Sequence, residues 1–390
     1  MEEMGNCRFV AKVIKEVPPS GIRRFFDMVS GNGDIISLGV GEPDYVAPWH
    51  IREACIHSLE QGETSYTSNS GLLELREEIA RNYTQRQGIY YDPESEILIT
   101  SGVSEALDLA IRAIVDNGDE IIVIEPTYVA YIPSIVLSGG KAISVPTFRD
   151  DEFRVNAEEI EKRITDRTKA IILNYPNNPT GATMPRENLE AVAKVAEKHD
   201  LVVITDEVYE RLTYTGKHCC IATLDGMKDR TIVLNGFSKA YSMTGFRLGY
   251  ILAPKPLLDA MMRIHQYTML CAPITSQIGA IEALKYGETE VQAMINEYNR
   301  RRRLIVKGFN DIGLDCFNPG GAFYAFPSIA TTDLTSNEFA ERLLEEQKVV
   351  TIPGDVFGQS GAGFLRCAYA ASREDIKEAL ERIESFINGI

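Results

Sequence analysis

Eight polar residues follow short apolar runs closely enough to share one site: Ser104, Tyr128, Asn178, Asp206, Tyr209, Ser238, Lys239 and Arg247. A lysine between an apolar run and a glycine-containing loop suits covalent catalysis through a Schiff base. Pyridoxal phosphate would use the other groups. Its ring nitrogen needs a carboxylate to stay protonated, because the protonated ring is the electron sink. Asp206, ending an apolar run, is placed for that. Its phosphate needs a helix N-terminus and a cation; the amides of Val103 and Ser104 supply the first and Arg247 the second. Asn178 and Tyr209 offer hydrogen-bond donors for its ring oxygen, and Tyr128 an aromatic face.

These residues converge only if the runs are strands of one sheet. Ile97–Thr100, Glu120–Ile124, Lys169–Leu173, Leu201–Thr205 and Thr231–Leu234 are short and almost wholly apolar. Each ends at a turn, and helical patterns alternate with them, one opening at Ser104 and one over Arg186–His199. Continuous β-branched runs alternating with helices predict an α/β fold whose mostly parallel central sheet is covered on both faces. In such sheets ligands sit beyond the carboxyl ends of the strands. Competing chemistries lack their signatures. Gly39-Val40-Gly41 has no third glycine for a dinucleotide fingerprint and runs into Glu42-Pro43. Neither a phosphate loop of the G-x-x-x-x-G-K-[ST] type nor a G-x-S-x-G elbow is present.

The last third reads as α+β. A polar helix carrying Arg300-Arg301-Arg302-Arg303 leads to Gly320-Gly321-Ala322-Phe323-Tyr324-Ala325-Phe326, then helices over 337–347 and 373–387. It predicts a smaller second domain, and the arginines read as a solvated helix face. With 40 Lys plus Arg against 56 Asp plus Glu, the 390-residue chain carries a formal charge of −16. That field excludes nucleic acid and anionic membranes as partners. Runs such as Leu201–Ile204 fall far short of the roughly 18 apolar residues of a membrane span. The opening Met1-Glu2-Glu3 predicts no secretory signal. Seven scattered cysteines without C-x-x-C, the vicinal Cys219-Cys220 among them, and Cys7 near the start, read as reduced cytoplasmic thiols. Five histidines without H-x-x-x-H spacing give no metal site.

Asn178-Pro179-Thr180-Gly181, Asp206-Glu207-Val208-Tyr209 and the stretch Ser238-Lys239-Ala240-Tyr241-Ser242-Met243-Thr244-Gly245-Phe246-Arg247 together resemble the class I/II pyridoxal-phosphate aminotransferases of fold type I. The likeness continues through Leu38-Gly39-Val40-Gly41-Glu42-Pro43-Asp44, Tyr66 with Gly71-Leu72-Leu73-Glu74-Leu75-Arg76, and Phe364-Leu365-Arg366. The resemblance implies that Lys239 bonds the cofactor and shuttles the proton, and that Asp206 pairs with the ring nitrogen. It implies that Asn178 and Tyr209 bind the ring oxygen, Tyr128 stacks, and Val103, Ser104, Ser238 and Arg247 hold the phosphate. It gives Arg366 the substrate α-carboxylate, a fork that guanidinium geometry favours, and has the Gly41 region close over the substrate. Tyr66 would reach the phosphate of a partner subunit, which implies a homodimer with shared sites.

Two positions depart from the family pattern. Gly236 stands where many relatives carry a phosphate-binding serine, which shifts the cup toward Ser238 and backbone amides. Phe246 replaces a common tryptophan, a packing change. The implied organisation is a large cofactor domain over residues 44–285 and a small domain from 1–43 plus 286–390. Val17–Ile22 resembles the substrate-covering stretch of the aspartate/aromatic subgroup, so aromatic or aspartate-like donors are expected, with a 2-oxo acid such as 2-oxoglutarate as acceptor. Two other readings stand beside this one. A C–S α,β-lyase would use the same cofactor cup. A sensor built on an aminotransferase-like domain would need a further module, and here the pattern starts within the first forty residues.

Overall fold

The computed structural model describes residues 8–22 and 34–390. Strand β1 (Ile36–Ser37) precedes seven strands that form one sheet: β2 (Ile97–Thr100), β3 (Glu120–Glu125), β4 (Lys141–Pro146), β5 (Thr168–Asn174), β6 (Val202–Asp206), β7 (Thr231–Gly236) and β8 (Gly249–Leu252). Their order is β2-β8-β7-β6-β5-β3-β4. Pairing is parallel from β4 to β7, and β8 runs antiparallel to both its neighbours. The five predicted runs are all strands of this sheet. Ile171, Ile172 and Leu173 are covered on both faces, which explains the absence of alternation and contributes roughly 1.5–3 kcal/mol per side chain.

Strands β4 and β8 escaped the sequence reading for opposite reasons. β4 is an edge strand with largely part-exposed residues, so it lacks a continuous apolar run. β8 has only four residues and follows directly on the stretch that carries Arg247.

The helix after β2 spans Gly102–Ile114, with Ser101 at its N-cap. The predicted opening at Ser104 is corrected: Ser104 lies in the first turn, so its amide and that of Val103 have no intrahelical acceptor. The helix buries Ala106, Leu107, Leu109, Ala110 and Ile111 on the sheet, an apolar stripe of helical period. The expected helix over 186–199 is Arg186–Lys198.

Short strands and two capped helices build the C-terminal part. β9 (Tyr324–Ala325), β11 (Ile352–Pro353) and β12 (Leu365–Ala368) form an antiparallel sheet in the order β11-β12-β9. β10 (Val349–Val350) pairs with β1 in parallel. Helices Ser336–Gln347 and Arg373–Ile387 are both capped, the first by a Thr335/Glu338 capping box and the second by Ser372.

The four arginines do not form a solvated face. They lie on helix Glu288–Asp311, where Arg301 and Arg302 are buried. Arg301 grips both carboxylate oxygens of Asp44 at 2.8 and 2.9 Å, and Arg302 donates to Asn318 and to the Pro319 carbonyl. Only Arg300 and Arg303 face solvent. Four consecutive helical residues span about a full turn, so some of them meet the packed side of the helix, where Arg301 and Arg302 find acceptors.

The six described cysteines are free thiols; Cys7 lies outside the described residues. Burial pushes both Cys219 and Cys220 up, Cys220 well above the ordinary thiol value, so neither has reactive-thiolate character. No helix among the described residues is long and apolar enough to cross a membrane.

Candidate active site

A cavity of about 670 Å³ opens at the carboxyl ends of β5, β6 and β7. Register decides what reaches it: Asn174 on β5 lies beside Asp206 on β6, and Asp206 beside Leu234 on β7. The cavity brings together Gly41, Val103, Ser104, Tyr128, Asn178, Asp206, Tyr209, Ser238, Lys239, Arg247 and Arg366. Of the residues singled out in the sequence, only Tyr66 lies apart, with 83% of its surface exposed.

Asp206 is buried at the cavity floor. Its Oδ2 accepts from the Tyr131 hydroxyl at 2.8 Å and its Oδ1 from the Val208 amide at 3.2 Å. Burial pushes its carboxyl up to about 6; those hydrogen bonds and the Lys239 charge pull the other way without prevailing. Lys239 is buried too, and burial lowers its ammonium to about 8. Its Nζ donates to the Gly41 carbonyl at 2.5 Å. Both groups are therefore held near neutrality, the range useful for proton transfer.

Arg366 comes from β12, opposite the main sheet. It is 2% exposed. Its Nη1 donates to Asn178 Oδ1 at 3.0 Å and its Nη2 to the Gly39 carbonyl at 2.7 Å, both uncharged acceptors. Its Nε is buried without a partner. The guanidinium lies between the rings of Tyr324 and Phe357, at 4.7 and 4.9 Å from their centroids. No carboxylate among the described residues pairs with it, so a buried cation awaits an anion.

At the other end of the cavity, Gly102 has φ +79, and a Cβ there would meet Arg247 Nη2 at 2.8 Å. Glycine thus lets the guanidinium approach the helix start. The Gly236 departure also has a steric basis. A Cβ at 236 would come within 2.9 Å of Val103 Cγ2 and 3.0 Å of the Leu248 carbonyl, so a serine would displace the helix start.

Three residues completing this site were not singled out as site residues in the sequence. Tyr131 donates to Asp206, and packs edge-on against Tyr128 at 5.6 Å. Asn174 donates to the Asp206 carbonyl at 3.0 Å and accepts from the Asn178 amide, tying the strand end to the next turn. Tyr324 shares a 2.7 Å hydrogen bond with Tyr209. Spacing signals were present for the first two, since Tyr131 lies one helical turn past Tyr128 and Asn174 opens the turn containing Asn178. Tyr324 reaches the cavity only through tertiary pairing.

A second polar cluster lies beneath the floor. Glu207, Glu210 and His218 place ligand atoms within 4.8 Å of one another. Glu210 already receives Arg86 at 2.6 Å, Gln87 at 2.7 Å and Asn235 at 3.0 Å. His218 Nε2 bonds Glu207. With Arg86 and a protonated His218 against two carboxylates the cluster is charge-balanced and reads as an ion network. Burial opposes the charged form of His218, but Glu207 outweighs it and holds His218 above its ordinary 6.5. A folded-state value above the unfolded one gives stability that is complete below about pH 6.5 and lost as pH rises through the raised value. We expect wild type to lose stability across that rise relative to His218→Gln. Thermal melts of both proteins from pH 6 to 10 check this; parallel curves would remove His218 as the titrating group.

The groups present fit pyridoxal phosphate. The raised Asp206 calls for a cation opposite it, the first helical turn and Arg247 form an anion cradle, and a buried amine stands between them. The unpartnered Arg366 fits a substrate carboxylate. A mostly parallel sheet with a lysine, an aspartate and an anion cradle at its carboxyl edge defines a fold type I enzyme. The chain belongs to the family of class I and II aminotransferases, which it matches over residues 33–383. It is 50% identical to a putative aminotransferase, YugH, of Bacillus subtilis, over 97% of this chain and 98% of that one. It is 43% identical to aromatic-amino-acid aminotransferase 2 of Thermococcus litoralis, over 96% and 97% of the two chains. The solved aspartate aminotransferase of Thermus thermophilus with maleate superposes with a TM-score of 0.93 at 35% identity, covering 97% of this chain and all of that one. The chain is thus an aminotransferase, of a family that is generally pyridoxal-phosphate-dependent.

Proposed function

We propose that this aminotransferase uses pyridoxal phosphate to move the amino group of an aromatic or aspartate-like L-amino acid to a 2-oxo acid such as 2-oxoglutarate, by a ping-pong mechanism. The observation that carries this reading is Arg366: a buried guanidinium without a carboxylate partner among the described residues, across one cavity from the Lys239/Asp206 pair. When bound, the cofactor supplies an electron sink conjugated to the amino acid's Cα. The chain's residues do the rest. Lys239 Nζ would bond the cofactor and carry the proton. Asp206, oriented by Tyr131 and Val208, would keep the ring nitrogen charged. Asn178 Oδ1 accepts from Arg366, which leaves its Nδ2 hydrogens free to donate, so Asn178 and Tyr209 would bind the ring oxygen. Tyr128 would cover the ring. The Val103 and Ser104 amides, Ser238 and Arg247 hold the phosphate. Arg366 clamps the α-carboxylate and thereby orients Cα.

Lys239, Arg247 and Arg366 are the only cations among the cavity's described lining residues. Around them, Ile22, Val40 and Val129 offer apolar surface to a donor side chain. That favours an aromatic donor. The exposed Tyr66 fits a role at a partner subunit's phosphate in a homodimer, and the division into residues 44–285 and the two flanking segments 1–43 and 286–390 fits a small domain that brings Arg366 to the site.

A panel of amino acids with 2-oxoglutarate, run on protein whose visible spectrum has been recorded, tests the reading. Pyruvate and ammonia released without an oxo-acid acceptor would replace it with the lyase. Arg366→Lys should raise KM for the amino donor by about 10–100-fold with a smaller change in kcat, because an ammonium cannot form the two-pronged contact. Steady-state kinetics decide, and an unchanged KM would remove Arg366 from carboxylate binding.

A further inference from the structure

Tyr324 belongs to the glycine-rich stretch that the proposed mechanism leaves without a role. It is fully buried, yet its side chain lines the cavity. Its strand β9 pairs with β12, which carries Arg366, and the Arg366 guanidinium sits over its ring. Its hydroxyl lies 2.9 Å from the position a Cβ would take at Gly41, so glycine there lets the loop close onto it. That hydroxyl is 2.7 Å from the Tyr209 hydroxyl. The charged groups lining the same cavity are Glu42, Asp206, Lys239, Arg247 and Arg366.

A phenol has one proton to give and lone pairs to accept with. Two phenols sharing one hydrogen bond therefore have a direction, and proton counting sets it. If Tyr209 gives its proton to the cofactor's ring oxygen, as the proposed function has it, the bond between the phenols survives only with Tyr324 as donor. We propose that Tyr324 is a positioning residue: it donates to the Tyr209 oxygen, fixes the direction of the Tyr209 proton, and strengthens its donation to the ring oxygen. Donation into a phenol oxygen polarises its own O–H, as in any hydrogen-bond chain. The inference rests on the Tyr209 role proposed above and extends it into the strand pair that carries Arg366.

The measurement is the pH midpoint of the visible cofactor band in the holoenzyme, for wild type, Tyr324→Phe, Tyr209→Phe and the double variant. A donor to the ring oxygen drains its negative charge, so weakening the donor favours the protonated cofactor–lysine linkage and raises the midpoint. Tyr324→Phe should raise it by about half a pH unit, and Tyr209→Phe by more. The double variant should match Tyr209→Phe, because without Tyr209 the Tyr324 hydroxyl has nothing to act through. KM for the amino donor should stay within about twofold, since phenylalanine keeps the ring under Arg366. An unchanged midpoint in Tyr324→Phe, or shifts that add in the double variant, would overturn the inference while leaving Tyr209 in place. A Tyr209→Phe midpoint equal to wild type would instead overturn the Tyr209 role and this inference with it. Tyr324→Met, of similar bulk and without a hydroxyl, takes the same measurement if Tyr324→Phe does not fold.

Discussion

Lys239→Ala should yield a folded protein that has no visible cofactor band after dialysis and whose turnover is lower by about 10⁴-fold or more. No other lysine lines the cavity among its described residues, so no neighbour can take over either the covalent bond or the proton. The substitution touches little else. Lys239 Nζ makes one hydrogen bond, to the Gly41 carbonyl, and lies near the rings of Tyr209 and Phe323 at 5.9 and 5.8 Å. Burial already disfavours its charge, so its loss should not lower the melting temperature of the cofactor-free protein. Lys239→Arg separates charge from chemistry: it keeps a cation and should be equally inactive, because a guanidinium does not form the bond. A band that survives dialysis in either variant would remove Lys239 from its role.

Asp206 carries the second large effect. Asp206→Ala should lower kcat by about 10³-fold or more and weaken cofactor retention, since a preorganised charge in a buried site is worth far more than in water. Alanine also strips the Tyr131 hydroxyl and the Val208 amide of their acceptor, a structural cost of about 1–3 kcal/mol. Asp206→Asn removes that ambiguity. It keeps the shape and an oxygen for one donor but not the charge, so it should approach the alanine variant in kcat while melting closer to wild type. The reason lies in the burial that pushes this carboxyl up to about 6. An anion so poorly solvated gains strongly from a cation placed against it, and that gain is what would hold a ring nitrogen protonated. An asparagine variant turning over near the wild-type rate would break the assignment.

Both residues were visible in the sequence because Asp206 closes one apolar run and Lys239 lies in the turn that follows another. β5, β6 and β7 lie where Lys169–Leu173, Leu201–Thr205 and Thr231–Leu234 placed them. The middles of these central strands are apolar, and their polar residues gather at the strand ends, which marks the sheet edge. The helix over 102–114 was legible as an element, but not its first residue: Ser101 and Ser104 both suit the N-cap position, and only the backbone shows that Ser101 occupies it. The same locality explains what was missed. β4 mixes exposed and buried positions at the sheet edge, and its run of residues has no one-sided pattern to read.

Local patterning was enough for the chemistry on offer: a lysine, an aspartate, an asparagine and an arginine at successive turns. Tertiary structure alone decided how those groups are poised. Arg301 and Arg302 turned inward because Asp44 and Asn318 came within reach from distant parts of the chain. Tyr131 found Asp206 across 75 residues, and Tyr324 found Tyr209 across 115. Arg366 is left without a carboxylate partner among the described residues. Hydrogen bonds and desolvation depend on distance and burial, which a linear pattern does not encode. The pull of Asp206 upward and of Lys239 downward, on which the proposed chemistry depends, is therefore a property of the folded cavity and of no segment of the chain.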